Sequence, residues 1–128
     1  MAHFIIKSLL GSKISIYGDG KQIRDLLDVS DLIGAYRLAV RKIDKAEGEI
    51  YNVGGGAENT FSLLELIIFL EKILKVGIKY DFSEWRPGDQ KIFISDNAKL
   101  KKELGWGPKI SAEEGVKKLA EWIKENAV

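Results

Sequence analysis

The sequence predicts a single small α/β domain in which helices alternate with short strands. Three observations carry that expectation. Along 128 residues the hydrophobic spacing switches repeatedly between helical and extended periods. Two Ser-x-x-Glu boxes, Ser62 to Glu65 and Ser111 to Glu114, each open a helical apolar pattern. Glycine or proline stands at most of the switches, and both prolines, Pro87 and Pro108, fall in predicted loops.

Phe4, Ile5, Ile6, Leu9 and Leu10 follow helical spacing with no Ser, Thr, Asp or Asn ahead of them as a cap. They read as a frayed first helix or as the back half of a longer one. So many apolar positions at the start of a short chain predict exposed apolar surface and self-association into a homo-oligomer. Ile14, Ile16 and Tyr17 read as a strand closed by the turn Gly18-Asp19-Gly20. Ile23 to Val29 reads as a second extended run. Ser30 is expected to cap a helix carrying Leu32, Ile33, Tyr36, Leu38, Ala39, Val40 and Ile43, with Gly48 closing the unit. Glu49 to Val53 reads as a strand broken by Gly54-Gly55-Gly56. The Ser62 box opens a helix to about Lys75 that Gly77 stops, and Ile78 to Phe82 reads as a strand. A polar loop from Ser83 to Lys91 leads to a short strand at Ile92 to Ile94. Ser95 or Asp96 then caps a helix that Gly105 ends. The Ser111 box opens a last amphipathic helix with Val116, Leu119, Ala120 and Ile123 inward.

Composition removes several function classes. Lys and Arg total 20 against 19 Asp and Glu, so no charge excess favours a nucleic acid or a membrane surface. With no cysteine and a single histidine, His3, neither a thiolate nor a His-based metal cage can be assembled. No run approaches the ~18 apolar residues of a membrane span, and Lys7 inside the first apolar run argues against a signal peptide, so a cytoplasmic location is expected. Lysine-rich, cysteine-free composition leans towards a thermophilic source.

Two motifs fail as chemistry. Tyr17 and Lys21 match Tyr-x-x-x-Lys, but two intervening glycines set them in a turn and not on one helical face. Gly54-Gly55-Gly56 follows a predicted strand, yet the position that should complete a dinucleotide fingerprint is Asn59, and the next helix starts too late to hold a pyrophosphate. The glycines read better as a sharp exit from the strand. Arg24 and Arg86 are more informative, because arginine grips phosphate oxygens with a planar fork. The alternative is local pairing, Arg24 with Asp25 or Asp28 and Arg86 with Asp89. Trp85, Trp106 and Trp122 are expected to be packing residues, while Tyr17 beside its glycine turn could stack on a base.

Read together, these segments resemble the extended short-chain dehydrogenases, the NAD-dependent nucleotide-sugar epimerases and dehydratases. The stretch Ile14 to Leu32 resembles the family's YGxGxQxRDxxxVxD motif. Ile50 to Leu66 resembles NxGGG…S…EL, Trp85 to Lys91 followed by Ser95-Asp96 resembles RPGDxxxxxxD, and Lys102 to Lys109 resembles the LGWxP ending. The details most resemble the CDP-paratose 2-epimerase (CDP-tyvelose epimerase) branch. Asp28 stands where the family more often has an aromatic residue or His. The family's Rossmann half, with its glycine fingerprint and catalytic Tyr-x-x-x-Lys, finds no counterpart in this sequence.

The resemblance therefore implies a small mixed α/β substrate-binding domain spanning residues 1–128, the C-terminal part of an epimerase or dehydratase. Arg24, Asn52 and Arg86 would contact the diphosphate of a nucleotide sugar, Ile14, Ile16 and Tyr17 would line the base pocket, and Asp89 would orient the Arg86 loop. No catalytic, cofactor or metal residue is assigned. NAD would belong to the family's Rossmann half, which would be this domain's partner, and the chain alone is expected to be inactive. The competing expectation is a stand-alone nucleotide-binding or protein-interaction module.

Overall fold

A computed structural model of the chain describes residues 1–126. Helix α1 (Ala2–Leu9) leads into β1 (Ile14–Tyr17) and β2 (Ile23–Asp25), then α2 (Val29–Arg41) and the single-turn α3 (Ile43–Ala46). A 3-10 turn (Ala57–Asn59) precedes β3 (Thr60–Ser62) and α4 (Leu63–Leu74). The chain closes with β4 (Tyr80–Ser83), β5 (Ile92–Phe93), α5 (Ala98–Leu104) and α6 (Ala112–Asn126).

The strands form two small sheets. β1 pairs with β4 in parallel, Tyr17 opposite Ser83. β2 lies between β3, antiparallel, and β5, parallel, so Arg24 faces Phe61 on one side and Phe93 on the other. The main core joins Ile5, Ile14, Ile16, Leu70 and Ile123, binding α1, β1, α4 and α6 together. A second cluster, Ala35, Leu100, Leu104 and Trp106, seats α2 on α5.

The Ser62 box forms as expected: the Ser62 hydroxyl accepts from the Glu65 N–H and the Glu65 carboxylate accepts from the Ser62 N–H. Glu65 is held below its ordinary pKa chiefly by that backbone bond. At α6 the Ser111 hydroxyl accepts from the Glu114 N–H, while the Glu114 carboxylate pairs with Lys118. Gly105 ends α5 in the left-handed conformation.

Other expectations need correction. α2 is capped by Asp28, whose carboxylate accepts from the Ser30 N–H, so Ser30 lies inside the helix and the departure at Asp28 serves as a cap. At α5, which starts after Asn97, the expected cap holds for Asp96 and not Ser95: the Asp96 carboxylate accepts from the Ala98 N–H. The left-handed residue that stops α4 is Lys75, two positions before Gly77. The second extended run forms a strand only over Ile23 to Asp25, followed by one further bond in the same register from the Leu26 N–H to the Asn59 carbonyl. Glu49 to Val53 forms no strand, because no neighbouring strand is there to pair with it. The first helix is more covered than expected: Ile5 is fully buried and Phe4, Ile6 and Leu9 are partly buried against the main core, while Leu10, just past the helix, is 61% exposed.

Candidate anion and nucleotide site

The site is built by one connection. Loop 84–91 leaves the carboxyl end of β4 beside Tyr17 and enters β5 beside Ile23 and Arg24. It therefore spans the seam between the two sheets, and this topology brings distant residues together. At one end the Arg86 guanidinium lies over the Tyr17 ring, 3.7 Å from its centroid. At the other, Arg24 donates to the Asp89 carboxylate at 2.9 Å. A turn bond from the Asp89 N–H to the Arg86 carbonyl links the two ends.

Arg24 and Arg86 thus flank one loop. Arg86 is exposed, and its cation–π stacking leaves its N–H edge open. Arg24 is half-buried and also donates to the Ile23 carbonyl. Both pairings considered for the local alternative are absent: Arg24 bonds to neither Asp25 nor Asp28, and Asp89 takes Arg24 and not Arg86. Asn52 is exposed and makes no hydrogen bond among the described residues, so nothing in its contacts joins it to the two arginines. Ile14 and Ile16 require correction. Both are 0% exposed in the main core, because alternate residues of β1 point inward, and they offer a base no surface. Tyr17, the outward residue at the strand end, does.

Residues that sequence reasoning did not assign complete the picture. An open cleft of about 450 Å³ beside Tyr17 is lined by Gly18, Asp19, Phe82, Ser83, Glu84 and Trp85. Trp85 lies so close to Gly18 that a Cβ there would meet its ring at 2.6 Å. Gln22, buried behind Tyr17, donates to the Tyr17 carbonyl at 2.6 Å, while its Oε1 is enclosed without a partner.

Behind the site, Asp25 organises the glycine run. Its Oδ2 accepts from the Gly56 and Ser95 N–H groups. Burial pushes this carboxyl up, but the donated bonds from Gly56 and Ser95 outweigh it and leave the pKa below the ordinary value. Asn97 pairs its side-chain amide with both the N–H and the carbonyl of Gly54, acting as a strand neighbour would. Asn59 ties the same loop to α6 by donating to the Gly55 carbonyl and accepting from the Ala112 N–H. Asp31 accepts from the Lys109 and Ile110 N–H groups. The glycine run does not fit a dinucleotide. The room beside Gly54 is filled by Ser95 and Asp25, and that beside Gly55 by the Leu26 carbonyl.

Residues 1–119 match the GDP-mannose 4,6 dehydratase family. The chain belongs to that family. Within the GDP-mannose 4,6 dehydratase family it is 36% identical over 117 residues to the CDP-paratose 2-epimerase of Salmonella typhi, covering 91% of this chain and 35% of that protein. It superposes on the UDP-glucuronic acid 4-epimerase of Bacillus cereus, solved with UDP-glucuronic acid and NAD, with a TM-score of 0.89 and 30% identity. That match covers 98% of this chain and 40% of the epimerase. The UDP-glucose 4-epimerase of Thermotoga maritima, solved with UDP-glucose, gives a TM-score of 0.87 and 32% identity, covering 98% of this chain and 39% of that one. The chain therefore spans about a third to two-fifths of these relatives. The mixed α/β fold corresponds to the C-terminal part of nucleotide-sugar epimerase and dehydratase structures. Among the described residues no helix is long and apolar enough to cross a membrane.

Proposed function

We propose that this chain is the nucleotide-sugar-binding part of an epimerase or dehydratase. Arg24 and Arg86 would grip the diphosphate, and the base would stack on Trp85 in the cleft that it lines, next to the Arg86–Tyr17 stack. The observation that supports this best is the shared loop: Arg86 sits in it on the Tyr17 ring, and Arg24, on β2, is tied to its Asp89. A diphosphate favours charge-assisted forked donors, and a base favours flat aromatic faces. Asn52, exposed and without a hydrogen bond among the described residues, would join the two arginines at the diphosphate. The domain would supply binding and orientation. Hydride transfer to and from NAD would belong to the part of the relatives that this chain does not span, acting as its partner.

Calorimetric titration with CDP-, UDP-, dTDP- and GDP-sugars tests the reading. Weak, salt-sensitive binding that falls roughly tenfold in each of Arg24→Ala and Arg86→Ala is expected. No binding of any of the four, or binding indifferent to both substitutions, would count against it.

A further inference from the structure

The cleft beside Tyr17 has an uneven chemistry. The turn after β1 and the end of β4 build it together, because Tyr17 and Ser83 stand opposite each other in register and the Gly18 N–H donates to the Ser83 carbonyl at 2.8 Å. Asp19 and Glu84 come shortly after these paired positions, and both line the cleft. Asp19 accepts from the Lys21 N–H through Oδ1, and its Oδ2 takes no hydrogen bond among the described residues. Glu84 is exposed, and among the described residues its carboxylate has no hydrogen-bond or ion-pair partner.

Trp85 gives the cleft a flat wall. A Cβ on Gly18 would meet its Cε2, Cδ2 and Cε3 at 2.6 to 2.8 Å, so the indole lies on the bare Gly18 backbone, while 38% of the residue stays exposed. The next residue, Arg86, carries the guanidinium stacked on Tyr17. A planar group stacked on Trp85 therefore has an arginine next to it and two carboxylates in the same cleft. Of the lining side chains only the Ser83 hydroxyl and the Trp85 indole N–H can donate, while the two carboxylates accept and carry negative charge.

We infer that this cleft selects a nucleobase carrying an exocyclic amino group, cytosine or guanine, over uracil or thymine. A carboxylate accepts from the amino group of cytosine, and from the ring N–H and amino group of guanine together. Uracil and thymine put a carbonyl oxygen where cytosine has its amino group, and their single ring N–H is flanked by carbonyl oxygens on both sides. A carboxylate facing such an edge is repelled by those oxygens and leaves them unbonded. Stacking on Trp85 does not discriminate, since every base has a flat face. The choice therefore falls to Asp19 and Glu84, which act as specificity-determining residues. The inference rests on the reading above, that a nucleoside diphosphate binds here, and adds which bases it carries.

Calorimetric titration of the chain with CDP, GDP, UDP and dTDP tests it. CDP and UDP differ only along the base edge in question, and GDP shows whether the larger ring is also taken. CDP, GDP or both should bind roughly tenfold or more tighter than UDP and dTDP. In Asp19→Asn, Glu84→Gln or their combination the preference should fall to within about twofold, because an amide offers a donor to the uracil carbonyl as well as an acceptor. The ratio of affinities is the readout, since losing a negative charge raises affinity for every diphosphate alike. Asp19→Asn keeps an acceptor for the Lys21 N–H and Glu84 is exposed, so melting temperatures should match the unsubstituted chain. Equal binding of the four, a preference for UDP or dTDP, or a preference that survives the double substitution would overturn the inference and leave the diphosphate reading in place. No binding of any of the four would overturn both.

Discussion

Arg24 is paired with Asp89, 65 residues away, and with neither of the aspartates that adjoin it in sequence. An anion entering beside Arg24 would have to compete with that carboxylate. Asp89 would therefore act as a rival of phosphate in the proposed site.

Replacing the rival should strengthen binding. Asp89→Asn is expected to tighten inorganic pyrophosphate severalfold in a calorimetric titration. It should lower stability by no more than about 1 kcal/mol, since the pair is partly open to water. Unchanged or weaker binding would show that Asp89 positions the loop and does not compete.

Arg86→Ala should separate binding from stability in the other direction. The guanidinium rests on an exposed ring, so the fold loses about 0.5–1 kcal/mol or less. Diphosphate affinity should fall roughly tenfold, as expected for a charge-assisted contact of about 1.5 kcal/mol. Arg86→Lys should recover little of it, because an ammonium lacks the planar fork. Parallel thermal melts and titrations check both halves.

The acid limb of stability should depend on Asp25. Its folded-state pKa is lowered, so its contribution is complete above the ordinary Asp value of 3.8 and is lost as pH falls through the depressed value. Asp25→Ala should cost about 1.5–3 kcal/mol near neutrality, because the Gly56 and Ser95 N–H groups lose their acceptor. The difference between wild type and variant should shrink as the pH drops below 3.8. Denaturant unfolding at several pH values measures it.

Gly55→Ala should destabilise more than its chemistry suggests. The added methyl would collide with the Leu26 carbonyl, which is backbone and cannot rotate away. A loss above about 2 kcal/mol is expected, against a few tenths for an open glycine such as Gly107, beside which nothing lies within 4 Å. A paired melt of the two variants decides it.

How much of this was legible beforehand follows from which interactions are local. The box at Ser62 and the stop at Gly105 involve neighbours in sequence, and both formed where expected. The cap of α2 was misplaced by two residues, at Ser30 and not Asp28, because adjacent side chains can each accept from a helix N-terminus, whereas at α5 Asp96 does supply the acceptor. The apparent strand at 49–53 has the side-chain alternation of a strand, but among the described residues no strand lies beside it to pair with. At the site, the residue types at Tyr17, Arg24 and Arg86 were legible from their motifs. The inward pointing of Ile14 and Ile16 was not, because alternation names two faces without saying which one is covered. Nor was the Arg24–Asp89 pair, which depends on β2 and β5 lying side by side.

That adjacency has a mechanical side. A two-stranded sheet is marginal by itself, and β1–β4 is one. Loop 84–91 runs from it to the three-stranded sheet, anchored by Arg86 on Tyr17 at one end and Asp89 on Arg24 at the other. A ligand held by both arginines would brace the domain across its seam like a strut. Its grip would register as a sharper, more cooperative melt, and loosening either anchor would let the two sheets come apart in separate steps.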